Sequence, residues 1–485
     1  MDQKNNCNEL AAEFSDVSLG DERLNARVRK IAAVLSSARD RSLPEAHGRD
    51  ASQLEGTYRF LSNPSVTAEE ILSAHLRKTT QRAMEAGAVL MVHDSTTFAF
   101  GGRSRRGLGT LGSSDCLGFY AHISLCISED GEPLGGARLY AWRREKKPHR
   151  GKRPQQESQY DPNRESLRWN EAVHDTGDVF RGVASVVHVM DREGDCLELI
   201  SDMIEHDHRF VVRLSHDRRM DADRLRRDVP KLFATLSSAP VVLEREVRLV
   251  SKPGKEPVQA LQRKKLVWGK TRAAALVIRA QSLTISPGNG AHAHIPDSLT
   301  LNFVDVSEPD APEGVEPVKW RLVTTDPIDT PDAVARVVDI YRRRWLIEEY
   351  FKAIKTGCGY EQLQLENGES LIRALVLYMT VAWRMLRMRW YDRNRPDQPA
   401  EKVLTLVQVE ALKAVCKRKG KPLPEQLTVH EALTAIAAMG GHLRQNGPPG
   451  WLTLARGFEK LLYIEIGWCA REPTNTDNLL NLAVK

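Results

Sequence analysis

Residues 88–96 read Ala-Val-Leu-Met-Val-His-Asp-Ser-Thr. Five consecutive apolar residues, Ala88 to Val92, are the pattern of a strand buried on both faces, as in the middle of a sheet flanked by helices. The run ends at His93-Asp94. A second buried strand, Val183 to Met190, leads into Asp191-Arg192-Glu193-Gly194-Asp195. In an open α/β sheet, side chains at strand ends meet in the crevice beyond the sheet edge, where sites are built. Two buried strands, each ending in an aspartate, therefore predict an α/β sheet with Asp94 and Asp191 converging. A single aspartate after a strand is more often a turn or cap residue, so the pair alone leaves both readings open.

The surrounding chain is consistent with such a sheet. Tyr120 to Ile127 and Pro133 to Trp142 flank Glu129-Asp130-Gly131, a hairpin signal. A helix is expected around Glu165 to His174 and another from Cys196 to Glu205, followed by a strand at Arg209 to Arg213. Between about 215 and 318, alternating segments such as Val241 to Val250, Arg272 to Ala280 and Leu299 to Val306 predict a β-rich insertion. Upstream, Leu24 to Leu35 is an amphipathic helix carrying Arg23, Arg27, Arg29 and Lys30. Glu55 to Leu61 and Thr67 to Leu76 are separated by Asn63-Pro64, with Thr67 and Glu70 placed as a capping box. Small basic helices in a row suit DNA binding, and equally an ordinary helical domain with a solvated basic face. From about 370 to 480 the chain reads as helices broken by Pro and Gly.

Asp332 to Lys355 reads as one long helix. At about 100° per residue, Tyr341, Arg344, Glu348 and Lys355 share an arc of roughly 60°. Ile340, Leu346, Ile347, Tyr350, Phe351 and Ile354 form the opposite, apolar face. The polar arc has two readings. It is a solvated charged face, with Glu348 and Lys352 as an ordinary i,i+4 pair, or a metal ligand beside a row of phosphate partners. A carboxylate is a hard oxygen ligand for magnesium, while Arg, Lys and Tyr are common phosphate contacts.

The composition bounds these readings. The chain has 485 residues and a net charge of +6, and a mean hydropathy of −0.41. A length of this order predicts two to four domains. The seven cysteines are scattered without a Cys-x-x-Cys pair, the pattern of reduced thiols. Met1 to Leu10 is polar, unlike a secretory signal, and the longest apolar stretch, Ala374 to Trp383, is too short to span a bilayer.

Taken together, these residues resemble a family. Tyr341-x-x-Arg344-x-x-x-Glu348-x-x-x-x-x-x-Lys355 resembles the Y-R-E-K signature of bacterial cut-and-paste transposases of the insertion-sequence-four family, Tn-five-like members in particular. Asp94-Ser95-Thr96 resembles that family's first acidic motif, and Asp191-Arg192-Glu193-Gly194-Asp195 its second. Glu55-Gly56-Thr57-Tyr58-Arg59-Phe60 with Asn63-Pro64, and Leu19-Gly20-Asp21 with Arg23 and Arg27, are similar to its N-terminal DNA-binding region. Ala437-Ala438-Met439-Gly440-Gly441 and Gly467-Trp468 fall where its C-terminal helices lie. The resemblance covers nearly the whole chain.

It implies an α/β fold with a ribonuclease-H-like catalytic core and a β-rich insertion, flanked by N-terminal and C-terminal helical domains. Residues 1–72 would bind DNA, 73–369 would be catalytic, and 370–485 would pair two protomers. The spacings agree: 191 − 94 = 97 and 348 − 191 = 157, so the second gap has room for the insertion. Asp94, Asp191 and Glu348 would be the catalytic metal ligands, expected to hold two Mg2+ per site, with Mn2+ as a substitute. Tyr341, Arg344, Lys352 and Lys355 would hold phosphates near the cut. Trp320 would stack on a flipped base, and Arg213, Arg23, Arg27 and Arg59 would contact DNA. The implied partners are transposon-end and target DNA and a second copy of the chain, with no membrane, in a bacterial cytoplasm at the nucleoid. The implied reaction cuts one strand, uses the freed 3′ hydroxyl to form a hairpin, reopens it, and joins the end to target DNA. A nuclease that cuts without joining, and a catalytically dead DNA-binding regulator, are the competing functions.

Other features carry less. Trp142 to Arg153 is strongly basic and reads either as a grip on DNA backbone or as a solvated loop. His292-Ala293-His294 lacks a third metal ligand. His206-Asp207-His208 reads as a helix cap or end, and Trp345 as packing under the glutamate helix, with DNA stacking as the second reading.

Overall fold

In the computed structural model, the Ala88–Val92 run is the start of a longer strand. The structure describes residues 9–37, 42–48, 50–101, 105–112, 116–144, 164–220, 229–250, 271–286, 295–313, 315–443, 445 and 447–471. Strands β1 (Ala88–Phe100), β2 (Gly109–Thr110), β3 (Leu117–Ser128), β4 (Pro133–Trp142) and β5 (Ser185–Met190) are followed by β6 (Arg209–Arg213), β7 (Val241–Val250), β8 (Thr271–Ile285), β9 (Leu299–Ser307) and β10 (Lys319–Thr324). They form one sheet in the order β2-β3-β1-β5-β6-β10-β9-β8-β7, with β4 also on β3. β1, β5 and β6 run parallel, while β3 and β10 pair antiparallel to β1 and β6. The basic residues from 145 to 153 and the His292-Ala293-His294 triplet lie outside the described residues.

Asp94 is not at a strand end. β1 continues through Phe100 because β3 pairs with it along its length, from Val89 opposite Ser128 to Phe100 opposite Leu117. Only the β5 side ends early, at Val92 opposite Val189. The crevice therefore opens on one edge of β1, in mid-strand. The expected β-rich insertion is likewise not a separate layer: β7, β8 and β9 reach the main sheet through β10 and extend it.

Strand alternation sends the two sets of side chains into different helical layers. Leu90, Val92, Val187 and Val189 face the helices Pro331–Arg343 and Gly368–Asn394, in a cluster that also takes in Phe14, Val28, Phe60 and Leu61. Val89, Met91, Met190 and Val212 face the other way: Val89 and Met91 cluster with Ala83 of the helix Ala68–Ala86 and with Phe180, and Met190 and Val212 with the helices Arg168–Val179 and Leu197–Glu205. The helices Leu406–Arg418, Val429–Met439 and Trp451–Arg471 gather a further core around Leu412, Ile436 and Phe458. The N-terminal helices form as expected: Glu22–Ser37, Ala51–Ser62 and Ala68–Ala86, the last with its Thr67–Glu70 capping box, and residue 72 lies inside it.

The long helix is three pieces. Pro331–Arg343 and Leu346–Lys352 are α-helical, and Ala353–Gly357 is a π-turn. At the join, Arg344, Trp345, Ile347 and Glu348 donate to carbonyls three residues back, whereas Cys358 donates five back, to Ala353 at 2.8 Å. The first turn overwinds and the second unwinds.

Candidate active site

The registry of β1 and β5 sets the site. Ala88 lies opposite Ser185 and Val92 opposite Val189, an offset of 185 − 88 = 97 residues. Asp191 follows Asp94 by the same 97 residues, so the two aspartates sit level on neighbouring strands and on the same face. Three acidic residues compete for the role at the second position, and their surroundings separate them. Asp195 is buried and accepts from the backbone N–H groups of Ser215 and His216. Glu193 is exposed and pairs with Arg168. Asp191 caps the short turn after β5, its Oδ1 accepting from Glu193 N at 2.8 Å.

Glu348 comes in from the helical layer above. Arg344 donates through Nη1 to Asp94 Oδ2 and through Nη2 to Glu348 Oε1, both at 3.0 Å. Its planar fork spans the two carboxylates in a way a lysine would not. Asp94 Oδ1 also accepts from Ser95 N at 2.7 Å. Burial pushes the Asp94 carboxyl up to about 7; the Arg344 guanidinium opposes this, and the charges of Asp191 and Glu348 add to it. One arginine does not balance three converging carboxylates. An all-oxygen, over-negative set of this kind suits a hard divalent cation, with Asp94, Asp191 and Glu348 as the holders.

The polar arc of the helix assembles in part. Tyr341 is buried, with the Arg344 guanidinium 5.9 Å from its ring centre and Trp320 edge-on at 5.5 Å. Lys355 donates to Thr96 Oγ1 at 2.8 Å, two residues after Asp94. Lys352 does not pair with Glu348: it is exposed, 3.8 Å from Glu349, with its ammonium over Trp345. Trp345 is 42% exposed and is not packed beneath the helix. Arg213 lies opposite Leu322 and donates to Lys319 O at 2.9 Å, beside the Trp320 strand.

Arg23, Arg27 and Arg59 are far along the chain, on the N-terminal helices. Arg23 pairs with Asp21 and Arg59 with Glu55 at the surface. Arg27 reaches Gln53 Oε1 at 2.7 Å and so ties two of those helices together.

Arg168 was not legible from sequence. At the start of the helix Arg168–Val179 it donates to Ser95 Oγ at 3.2 Å and to Glu193 at 2.9 Å. It thereby ties the residue after Asp94 to the turn after Asp191. Its two partners are distant in sequence, so no local spacing signals it. Behind the site, on the opposite face, His93, His122 and His188 are buried. His93 meets Ser124 Oγ at 2.8 Å and His188 at 2.9 Å, and burial holds all three rings well below the usual imidazole range.

Residues 171–384 match the family model described as a transposase DDE domain, and residues 7–66 the one described as transposase DNA-binding. The chain is a DDE-type DNA transposase. The DDE match spans Asp191 and Glu348 and begins after Asp94, which the strand register sets beside Asp191 and the Arg344 fork holds beside Glu348. Over 98% of this transposase and 82% of the other chain, the structure is also similar to a piggyBac transposase in a synaptic complex with hairpin DNA. That likeness stands at 10% identity and a TM-score of 0.36, too low to support anything further. Cys116, Cys126, Cys196, Cys358 and Cys416 form no disulfide. Among the described residues no helix is long and apolar enough to cross a membrane.

Proposed function

We propose that the transposase performs cut-and-paste transposition of the Tn-five-like kind, cutting its ends through a hairpin and joining them to target DNA. The carrying observation is the Arg344 fork, which holds Asp94 against Glu348 while the β1–β5 register sets Asp191 alongside. The strand order β4-β3-β1-β5-β6, with β1, β5 and β6 parallel, supports a ribonuclease-H-like core.

Asp94, Asp191 and Glu348 would hold magnesium, two ions per site, with manganese as a substitute. Bound there, the ions would supply charge to the attacking and leaving oxygens of an in-line displacement at phosphorus. The protein's own groups do the rest. Arg344 orients two carboxylates, and when they turn to a cation its fork becomes available to a phosphate. Lys355, on the same side, offers a second positive group, and Lys352 a third. Trp320, half-buried against Tyr341, offers the aromatic platform on which an extruded base would stack, worth about 1–3 kcal/mol per base. Residues 1–72, with Arg23, Arg27 and Arg59, would bind the transposon end, assisted by Arg213 near the Trp320 strand. Residues 73–369 would carry catalysis and 370–485 would pair two protomers on DNA, in a bacterial cytoplasm at the nucleoid.

The test is incubation of the purified chain with labelled candidate transposon ends and magnesium. Hairpin-ended products are expected, with Trp320→Ala lowering hairpin yield more than first-strand nicking. Nicked DNA without hairpins or joined products would instead favour a nuclease.

A further inference from the structure

We propose that His174, Asp202 and His206 form a second metal site, for a borderline transition cation such as zinc, on the face of the sheet opposite the carboxylates. One ligand atom from each residue lies within 4.8 Å of the other two. His174 Nε2 is 2.8 Å from Asp202 Oδ2; His206 Nδ1 is 3.5 Å from Asp202 Oδ1 and donates to Asp202 O at 2.9 Å, a hydrogen bond it would give up on taking a metal. Zinc holds nitrogen and oxygen ligands at about 2.0–2.2 Å, so in a tetrahedral site neighbouring ligands stand roughly 3.3 Å apart. The His174–Asp202 pair would open by about half an ångström, a small side-chain adjustment. Two imidazoles and a carboxylate select zinc, cobalt, nickel or copper over magnesium, which prefers oxygen alone.

The fold builds this cluster from two helices. His174 is on Arg168–Val179, Asp202 is on Leu197–Glu205, and His206 is the C-cap of the latter. Asp207 is the only non-glycine residue with positive φ among those described, at 55°. This left-handed turn lets His208 N donate to Met203 O at 2.8 Å and folds the chain back, so His206 and His208 share one side. Gly177 makes room for the return: a Cβ there would stand 2.6 Å from the His208 ring. The His208 ring centre is 5.7 Å from that of His174 and 6.4 Å from that of His206, which makes it the nearest imidazole for a fourth ligand; water would serve otherwise. Asn170 Nδ2 donates to Asp202 Oδ2 at 3.2 Å, the kind of outer partner that orients a ligating carboxylate.

A cation there would brace the helix whose Arg168 ties Ser95 to Glu193 against the helix that follows Asp191. The test uses the full chain, stripped with chelator and titrated with zinc chloride in excess magnesium, in wild-type, Asp94→Asn, His174→Ala and His206→Ala forms. Elemental analysis after dialysis gives stoichiometry, and cobalt substitution reports coordination through visible absorption. Wild type and Asp94→Asn are expected to retain one zinc that raises the melting temperature. Both histidine variants should lose it or bind at least about tenfold more weakly, since even outer-partner loss costs that much. Zinc retained at equal affinity by the histidine variants, or no zinc held by wild type, overturns the proposal. His206 is half exposed, so its variant keeps the test decisive if His174→Ala does not fold.

Discussion

Asp94 has a charge that the metal-free fold does not favour. Its carboxyl is mostly buried beside two others and pushed up to about 7, above its unfolded value of 3.8. A raised carboxyl pKa means the stability contribution is present at low pH and lost as pH rises through about 7. Asp94→Asn is therefore expected to stabilise the metal-free protein at pH 8, by up to about 4 kcal/mol, and to abolish strand cleavage. Chemical denaturation with chelator present checks this; an Asn variant less stable than wild type would remove the account of the site. The aspartates and the glutamate were legible as residues in the sequence. Arg344 was legible only as a phosphate partner, because its bridge to Asp94 crosses 250 residues.

At the scale of elements, buried polar joints and close helix contacts hold the parts together. Glu13, on the first helix, accepts from His75 Nδ1 at 2.8 Å and from Arg82 Nη1 at 2.7 Å. Burial opposes its ionisation, but these two partners outweigh it and hold its carboxyl at about 2, below the unfolded 4.5. The stability it contributes is full above pH 4.5 and is lost as pH falls toward 2, roughly 3 kcal/mol in all. Wild type should lose that increment in acid unfolding followed by circular dichroism, and Glu13→Gln should lack it. Farther along, the helices Val429–Met439 and Trp451–Arg471 touch backbone to backbone: a Cβ on Gly457 would stand 1.8 Å from Ile436 O. Gly457→Ala is expected to cost about 3 kcal/mol or more, measured by urea midpoint, since one helix must move off the other. The sequence marked a break at Gly440-Gly441; nothing local marked Gly457 as a contact.

Over the whole molecule, the N-terminal helices share a core with the sheet. Phe14, Val28, Ile31, Phe60 and Leu61 are buried in the cluster that holds Leu90, Val92 and Val189, and Arg373 donates to the carbonyls of Leu61 and Val66. Each such side chain contributes about 1.5–3 kcal/mol, against a typical total stability of 5–15 kcal/mol. Residues 67–485 alone are thus expected not to melt cooperatively; a sharp transition within a few degrees of the full chain would show that the helices are dispensable. The sequence by itself determined the buried strands and the helical caps, because burial period and capping are local properties of the chain, and it offered the acidic residues as candidates. Only the tertiary structure decided that Asp94 lies mid-strand, that β7 to β9 extend the same sheet, and that the glutamate helix is wound in three pitches. Those outcomes depend on which strands find one another and what packs above them, and pairing across hundreds of residues leaves no trace in local spacing.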